Sequence, residues 1–177
     1  MAATPRGERA AARPVPPALR RRAEREAAAL PVPPALRRCL ICGPANPRGL
    51  RLRFHERGER VVARFTPRTR HQGYRGLMSG GLLAAIFDCL HYRLSLRAGV
   101  PHTVTARLEV QYRAPMPLGM ALDFEAWLTE RRGRVFTTAA TARRADGAVA
   151  AESSAVYVEV DPARLASLHA RPRARRS

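Results

Sequence analysis

The 177 residues suffice for one ordinary domain with a hydrophobic core and additional tails, and the formal net charge is +18. No apolar run approaches the length of a membrane span and no signal-peptide pattern opens the chain, so we expect a cytoplasmic protein. All 32 basic residues are arginine, which together with abundant Ala and Pro indicates compositional bias more than a surface selected for its charge.

The excess of arginine extends over the whole chain, since residues 39–160 hold 18 arginines against 10 acids and both ends are also basic. Such a charge suits an anionic partner, for example the phosphates of coenzyme A, a nucleic acid or an acidic protein. No base-reading motif and no regular alternation of basic and aromatic residues accompanies the charge, which disfavours a nucleic acid.

The first 38 residues consist mainly of Ala, Arg and Pro, and the sequence of residues 14–20 recurs at 31–37. Two copies are too few for a repeat architecture, and the segment has too little apolar content to fold alone. We therefore predict a flexible leader over residues 1–38, a folded domain over 39–160 and a basic, loosely ordered tail over 161–177.

The cysteines are too few for a secreted disulfide framework, and two of them form the motif Cys39-Leu-Ile-Cys42-Gly43. A structural zinc site needs about four ligands, and the chain has no second pair at metal-binding spacing. Prolines that follow the motif also argue against the helix start that a redox CxxC requires. We interpret the motif as a packed turn, while a shared metal site or a redox role remains an alternative.

Hydrophobic periodicity predicts a hairpin, one long helix and then four strands. Residues 50–54 and 61–65 alternate with period two around a turn at 57–59, and residues 79–98 form the helix, which ends before Gly99 and Pro101. Strands follow at about 103–113, 122–128, 135–142 and 149–160, with a hairpin turn at Asp146-Gly147. Short turns between consecutive strands imply an antiparallel sheet whose apolar face one helix can cover, which is an α+β fold.

The start of the helix carries the residues that suggest chemistry. Ser79 stands at its N-cap position, Gly80 and Gly81 open its first turn, and Asp88 follows two turns later. Backbone N–H groups at a helix start favour negative charge, and glycines let another molecule approach the backbone closely. Two such donors and a carboxylate can serve acyl-transfer chemistry.

Several motifs share one order around this helix. They are Cys39-x-x-Cys42-Gly43, Asn46-Pro47-x-Gly49-Leu50, His71-Gln72-Gly73-Tyr74-x-Gly76, Gly80-Gly81, Asp88 and Tyr112-Arg113-x-Pro115-x-Pro117. In this series residues 39–160 resemble the hotdog-fold acyl-CoA thioesterases of the PaaI-like group. The resemblance implies an antiparallel sheet wrapped around one long central helix, assembly into homodimers and possible pairing of dimers into tetramers. It also implies hydrolysis of acyl thioesters of coenzyme A or of a carrier protein, and no cofactor.

Two positions depart from the pattern of that group. Its members usually carry histidine immediately before the Gly-Gly pair, where this chain has Ser79, and many carry an amide side chain where this chain has Gly73. Gln72 stands next to that position and is the nearest candidate for the amide. The acid Asp88 and the glycine eight residues before it, Gly80, are both kept.

Helix geometry limits how Gly80 and Asp88 can cooperate. Eight residues of helix span about 12 Å, whereas a reacting carbonyl must lie about 3 Å from both the oxyanion donor and the attacking group. One helix therefore cannot supply both, and two antiparallel helices from two subunits could. In this hypothesis the Gly80 N–H stabilises the oxyanion, and Asp88 of the other subunit acts as general base or nucleophile.

The helical wheel predicts which side of the helix enters the sheet. Leucines, Ile86 and Phe87 form one broad apolar stripe, and Asp88 lies almost opposite, with Ala84, Ala85, Tyr92 and Ser95. The simplest alternative for Asp88 is therefore an acid on a solvated face.

For the remaining candidates a structural role competes with a functional one. We interpret Ser79 as a helix cap in preference to a hydrogen-bond donor to the substrate, and we interpret His71 as a residue that packs the loop. Substrate-binding candidates on and near this loop are His71, Gly73, Tyr74, Arg75 and Arg113. Arg131, Arg132 and Arg134 are further candidates for the phosphates of coenzyme A.

Three functions compete at this stage. The first is an acyl-CoA or acyl-carrier thioesterase, and the second is a non-catalytic hotdog protein that binds acyl thioesters or a protein partner, which Ser79 and Gly73 suggest. The third, a nucleic-acid binder, rests on charge alone.

Overall fold

The computed structural model describes residues 28–169 and contains seven strands and two α-helices. The strands are β1 (Ala28–Ala29), β2 (Phe54–Arg57), β3 (Arg60–Phe65), β4 (Thr103–Tyr112), β5 (Leu122–Arg132), β6 (Val135–Arg144) and β7 (Val149–Glu159). The α-helices are α1 (Gly80–Arg97) and α2 (Pro162–His169), and short 3-10 helices cover Pro34–Leu36 and Thr69–His71.

All strands belong to one antiparallel sheet with the order β1-β2-β3-β5-β6-β7-β4. Helix α1 packs against the inner face of the sheet and contacts strands β3 to β7. The predicted antiparallel sheet around one central helix is confirmed, because consecutive strands with short turns can only pair with opposite directions.

The first hairpin starts later than the alternating pattern predicts. Strand β2 begins at Phe54, and residues 50–53 instead pair with the CxxC turn through the Leu50 N–H to the Leu40 carbonyl and the Leu52 N–H to the Ile41 carbonyl. The alternation of residues 50–54 therefore reflects burial against this turn and not a ladder within the sheet.

The long helix is nearly as predicted, but the face opposite its apolar stripe is not fully exposed to solvent. Leu83, Ile86 and Phe87 are fully buried in the core, and Ser95, expected on the outer face, is buried as well. The Ser95 hydroxyl hydrogen-bonds the Thr103 hydroxyl at 2.9 Å and donates to the Tyr92 carbonyl. Strand β4 covers this side of the helix, which an amphipathic wheel alone does not show.

A β-bulge interrupts β4 between Thr105 and Arg107 and shifts its alternation. Before the bulge, Thr103 and Thr105 face α1, and after it Leu108 and Val110 pack on the apolar clusters beneath the sheet. Val104, which simple alternation assigns to the core side, is exposed. Bulges commonly re-aim side chains in this way, and here the threonines turn toward the helix.

The folded part of the chain begins and ends beyond the predicted limits of 39 and 160. Ala28–Ala29 pairs with β2, and Leu30, Val32 and Leu36 pack on the core, so at least residues 28–38 of the predicted leader belong to the domain. Part of the predicted loose tail forms helix α2. The rest of both predictions, residues 1–27 and 170–177, lies outside the described residues. Among residues 28–169 no helix is long and apolar enough to cross a membrane.

Candidate functional site

The loop before α1 is closed by backbone hydrogen bonds on several sides. The Gly73 N–H donates to the Leu77 carbonyl, the Ser79 N–H donates to the His71 carbonyl, and the Met78 N–H donates to the Met116 carbonyl. A Cβ on Gly73 would lie 2.9 Å from the Ser79 Cα, so only glycine allows the loop to pack this closely on the helix start. The loop therefore holds the first turn of α1 in a fixed place.

Ser79 occupies the N-cap position of α1, but its hydroxyl makes no capping hydrogen bond. The predicted role of Ser79 as a side-chain cap is therefore wrong, although its extended backbone is the usual one for an N-cap residue. Gly80 is the first residue of the helix, and its carbonyl accepts a hydrogen bond from the Tyr112 hydroxyl at 2.8 Å. N–H groups in the first turn of a helix have no partner inside the helix, so that of Gly80 can serve a ligand.

Asp88 lies two turns further along α1 and is held by two hydroxyl groups. The Thr105 hydroxyl donates to Oδ1 at 2.8 Å, and the Tyr157 hydroxyl donates to the same oxygen at 2.7 Å. No hydrogen bond among residues 28–169 involves Oδ2. Burial, followed by the charge of Asp88, raises the pKa of Tyr157 above its usual range, so this phenol remains a donor. The arrangement fixes one carboxylate oxygen and leaves the other for a water or a substrate atom.

Strand β4 contacts both candidate groups. Its Thr105 meets Asp88 near one end, and its Tyr112 meets Gly80 near the other. Gly80 and Asp88 lie eight residues, or about 12 Å, apart along α1. Within one chain they therefore cannot reach the same carbonyl.

Most of the predicted binding residues lie on the outside of the loop. Tyr74 is 81% exposed and Arg75 is also exposed, so both are free to meet a ligand. Gln72 is exposed, but its side-chain oxygen accepts the Gly76 N–H at 2.9 Å, which ties it into its own loop. Arg113 pairs with Glu152 at 2.9 Å and also contacts Gln111.

His71 is buried beneath the loop and not directed outward. Its ring packs on Phe65 at 4.9 Å between centroids, and Nδ1 accepts the Arg68 N–H at 2.9 Å. Burial, and then the charges of Arg70 and Arg68, lower the pKa of His71. This geometry agrees with the predicted loop-packing role.

A large cavity lies on the outer face of the sheet, away from Asp88 and Gly80. It has a volume of about 1150 Å³, and its lining includes Arg60, Arg64, Arg143 and the side chain of Trp127. The helix start does not line this cavity, and the acids that line it have partners. Arg64 pairs with Asp123, and Arg60 pairs with Glu125. We therefore place the candidate chemistry at α1 and not in the cavity.

Sequence reasoning missed Thr105 and Tyr157 as partners of Asp88. The bulge in β4, which turns Thr105 toward the helix, has no clear signal in the sequence. Sequence reasoning also missed that Cys89 lies beside Cys39 and Cys42, with the three Sγ atoms all within 4.8 Å of one another. These cysteines are the only His, Cys, Asp or Glu group of three or more in residues 28–169 that has metal-binding proximity.

Comparison with known proteins agrees with this architecture. Residues 75–151 match the family model of the thioesterase superfamily. Acyl-coenzyme A thioesterase THEM4 of Mus musculus is 28% identical over 105 residues, which cover 59% of this chain and 45% of that protein. The chain thus spans about half the length of the curated relatives it matches.

Solved structures show the same fold. A thioesterase superfamily protein from Shewanella loihica PV-4 is 29% identical with a TM-score of 0.52, over 67% of this chain and 98% of that chain. The PaaI protein of E. coli, from the phenylacetic acid degradation operon, has a TM-score of 0.58 over 63% of this chain and 81% of its own. It is only 13% identical, so this likeness concerns the fold alone. The predicted resemblance to PaaI-like hotdog thioesterases is confirmed.

Proposed function

We propose that this chain, with its hotdog fold and its match to the thioesterase superfamily, hydrolyses acyl-CoA thioesters at a site shared between two copies. One observation carries the proposal: the Asp88 carboxylate is oriented by Thr105 and Tyr157 and keeps Oδ2 without a partner. Two neutral hydroxyl donors directed at one oxygen distinguish this carboxylate from an acid that contacts solvent alone.

In the proposed reaction each copy gives its helix start to one site and its acid to the other. The Gly80 N–H of one copy donates to the thioester carbonyl oxygen as it gains negative charge. Asp88 of the other copy takes a proton from water through Oδ2, while the water oxygen bonds to the carbonyl carbon. The carbon–sulfur bond then breaks, coenzyme A leaves as the thiolate, and the proton passes from Asp88 to the thiolate or to solvent. In the alternative mechanism, Asp88 attacks the carbonyl carbon directly and coenzyme A leaves as the thiolate. Water then hydrolyses the resulting anhydride.

Strand β4 supports the pairing of two copies. It is the last strand of the sheet, pairs only with β7, and leaves ten residues with one unpaired backbone edge. An edge of this length with the exposed side chains of Val104 and Tyr112 is favourable for antiparallel pairing with a second copy of itself. Such pairing would bring the two α1 helices, which lie behind β4, toward each other.

The class of substrate follows from the relatives and the charge of the loop. The THEM4 relative is named an acyl-coenzyme A thioesterase, and coenzyme A carries several phosphates. Tyr74 and Arg75 on the exposed loop and Arg113 at the end of β4 are the proposed contacts for coenzyme A, although Arg113 must then exchange its pair with Glu152. Gln72 is the proposed amide near the carbonyl, which requires it to leave Gly76.

The test is thiol release from short, medium, long and aryl acyl-CoAs, measured for the full chain and for Asp88→Asn. We expect a loss of at least a hundredfold in kcat for this variant with the best substrate. Glu59→Gln is the matched control, because Glu59 is an exposed acid in the β2–β3 turn, which contacts α1 at its last residue, Arg97, nine residues after Asp88. Equal rates for wild type and Asp88→Asn would remove Asp88 from the mechanism.

The absence of histidine before the Gly-Gly pair favours one other function, a hotdog protein that binds acyl thioesters or a protein partner without hydrolysis. In that case no acyl-CoA of the panel releases thiol. Calorimetric binding of a non-hydrolysable acyl-CoA thioether then separates an acyl-thioester binder from a protein that does not recognise coenzyme A.

A further inference from the structure

Three cysteines from two distant parts of the chain meet beside the central helix. Cys39 and Cys42 flank a tight turn, and Cys89 lies in α1, directly after Asp88. The three Sγ atoms all lie within 4.8 Å of one another, and Cys42 and Cys89 are buried. Neither the fold nor the proposed hydrolysis needs three thiols in contact.

The turn between Cys39 and Cys42 directs both of their sulfur atoms toward Cys89. A Cβ on Gly43 would lie 2.4 Å from the Cys39 nitrogen and 2.6 Å from the Arg37 carbonyl oxygen, so only glycine permits the turn. The Ile41 N–H donates to the Cys39 Sγ at 3.4 Å, a contact that suits a sulfur with negative charge. The hydrogen bonds from residues 50 and 52 anchor this turn to the domain.

A buried arginine lies one helical turn after Cys89. Arg93 is only 1% exposed, packs over the Phe54 ring, and donates through NH1 to the Pro31 carbonyl at 2.6 Å. Its Nε has no hydrogen-bond partner, and no carboxylate among residues 28–169 forms an ion pair with it. A buried, unpaired cation is costly, so a negative charge close by would stabilise it.

We propose that Cys39, Cys42 and Cys89 bind one Zn²⁺ ion as thiolates, and that Arg93 balances the remaining negative charge of the site. Three thiolates and Zn²⁺ carry a net charge of −1, which the guanidinium neutralises. The thiol protons pass to solvent and nothing is oxidised. A fourth ligand position is left to water beside Cys39, the partly exposed cysteine.

The spacing of the sulfurs suits this ion. Zinc–sulfur bonds of about 2.3 Å in a tetrahedron place the sulfurs about 3.8 Å apart, so the cluster needs to contract by about 1 Å or less. Soft thiolate ligands select zinc and Cu(I) over Mg²⁺ or Ca²⁺. The bound ion would join the turn to α1 next to Asp88, and this site does not depend on whether the chain hydrolyses thioesters.

The test uses the full chain, purified with a reductant, stripped with a chelator and then titrated with Zn²⁺ and, separately, with Co²⁺. We expect one equivalent of tightly held zinc by elemental analysis, and a thiolate-to-cobalt charge-transfer band in the absorption spectrum. Cys39→Ser, Cys42→Ser and Cys89→Ser should each weaken zinc binding by at least tenfold. His102→Gln is the control, because His102 is exposed and lies beyond the C-terminal end of α1, 13 residues after Cys89, and this variant should bind zinc like the wild type.

The cobalt spectrum of the wild type keeps the proposal testable if Cys89→Ser fails to fold. Arg93→Lys, which keeps the charge, should bind zinc more tightly than Arg93→Met, with a difference of about tenfold or more. Less than stoichiometric zinc, a cobalt spectrum without a thiolate band, or binding of Cu(I) but not zinc would overturn the proposal. A native disulfide between these cysteines, detected by counting thiols in the unfolded chain without reductant, would overturn it as well.

Discussion

The Tyr157 hydroxyl lies 2.7 Å from both the Oδ1 atom and the backbone carbonyl oxygen of Asp88. The single proton of this phenol is thus shared between the side chain and the main chain of the candidate base. Since Tyr157 is almost completely buried, this contact fixes the carboxylate relative to the sheet and not only relative to its own helix.

Tyr157→Phe removes this donor and keeps the ring in the core. We expect kcat to fall about tenfold, as for the loss of one hydrogen bond to a charged group, with KM within about twofold of wild type. Thr105→Val, which removes the second donor, should act in the same direction, while Thr105→Ser keeps the hydroxyl and should retain most of the activity. A decrease that appears only in KM would contradict a positioning role for these hydroxyls.

Gly80→Pro tests the proposed oxyanion donor directly. Proline is well tolerated at the first residue of a helix, and the extended backbone of Ser79 (φ −61°, ψ 128°) suits a residue before proline. The substitution removes the N–H and adds a pyrrolidine ring, and from the loss of the N–H we expect kcat to fall by about a hundredfold or more.

Gly80→Ala is the matched control for Gly80→Pro. Its Cβ would meet the Tyr112 ring at 3.3 Å, a contact that proline makes too, but alanine keeps the N–H. Equal losses in both variants would assign the effect to crowding against Tyr112 and remove the Gly80 N–H from the mechanism.

The sequence predicts the order of elements well because each long element has its own period. Alternation found β3 and β5 to β7, and the apolar spacing with a glycine and a proline after it found α1 within one residue at each end. The turn at Gly58 was also correct, since the β2–β3 hairpin closes there.

The partners of the candidate site are less predictable, because they depend on tertiary contacts. Asp88 and Gly80 stand out in the sequence, but Thr105 reaches Asp88 only because of the bulge in β4. Cys89 approaches the CxxC turn only because the segment before β2 folds back against α1. A contact of this kind joins residues about 50 positions apart and leaves no local pattern.

Mixing two inactive variants tests whether the site is shared. In a dimer of Gly80→Pro with Asp88→Asn, one of the two sites keeps an intact glycine from one copy and an intact acid from the other. After unfolding and refolding an equimolar mixture, half of the dimers are mixed, so we expect about a quarter of the wild-type activity. Each variant refolded alone is the control, and a mixture no more active than these would exclude a shared site.

His91 should make the free energy of unfolding depend on pH. Its Nε2 lies 3.0 Å from the Ser153 hydroxyl and its Nδ1 lies 2.9 Å from the Thr138 hydroxyl, and burial lowers its pKa to about 4 against the opposing charge of Asp88. The unfolded chain binds this proton near pH 6.5, so the stabilisation is complete above that pH and is lost as the pH falls toward 4.

The expected loss from His91 between pH 8 and pH 5 is about 2 kcal/mol. Denaturant unfolding monitored by circular dichroism at several pH values measures it, with His91→Gln as the comparison because it cannot titrate. The difference in pH dependence between the two proteins isolates His91 from other groups. Parallel curves for wild type and His91→Gln would show that this histidine does not titrate as its burial implies.

Ser79→Ala tests the finding that the Ser79 hydroxyl does not cap the helix. Loss of a true side-chain cap costs about 1 kcal/mol, whereas we expect the free energy of unfolding to change by less than about 0.5 kcal/mol. Urea unfolding of the two proteins measures the difference. A loss near 1 kcal/mol would show that the hydroxyl caps α1 in solution.

Ser79→His places an imidazole where members of the PaaI-like group usually carry one. Because the hydroxyl of Ser79 makes no capping bond, the replacement loses no hydrogen bond to the helix start. An imidazole beside the Gly80 N–H could donate a second hydrogen bond to the developing oxyanion, and we expect kcat to rise about tenfold. Ser79→Ala serves here as the control for loss of the hydroxyl alone. If Ser79→His is no faster than wild type on any acyl-CoA of the panel, then the missing histidine is not what limits turnover, and the loop around Gly73 and Gln72 becomes the part of the site to alter next.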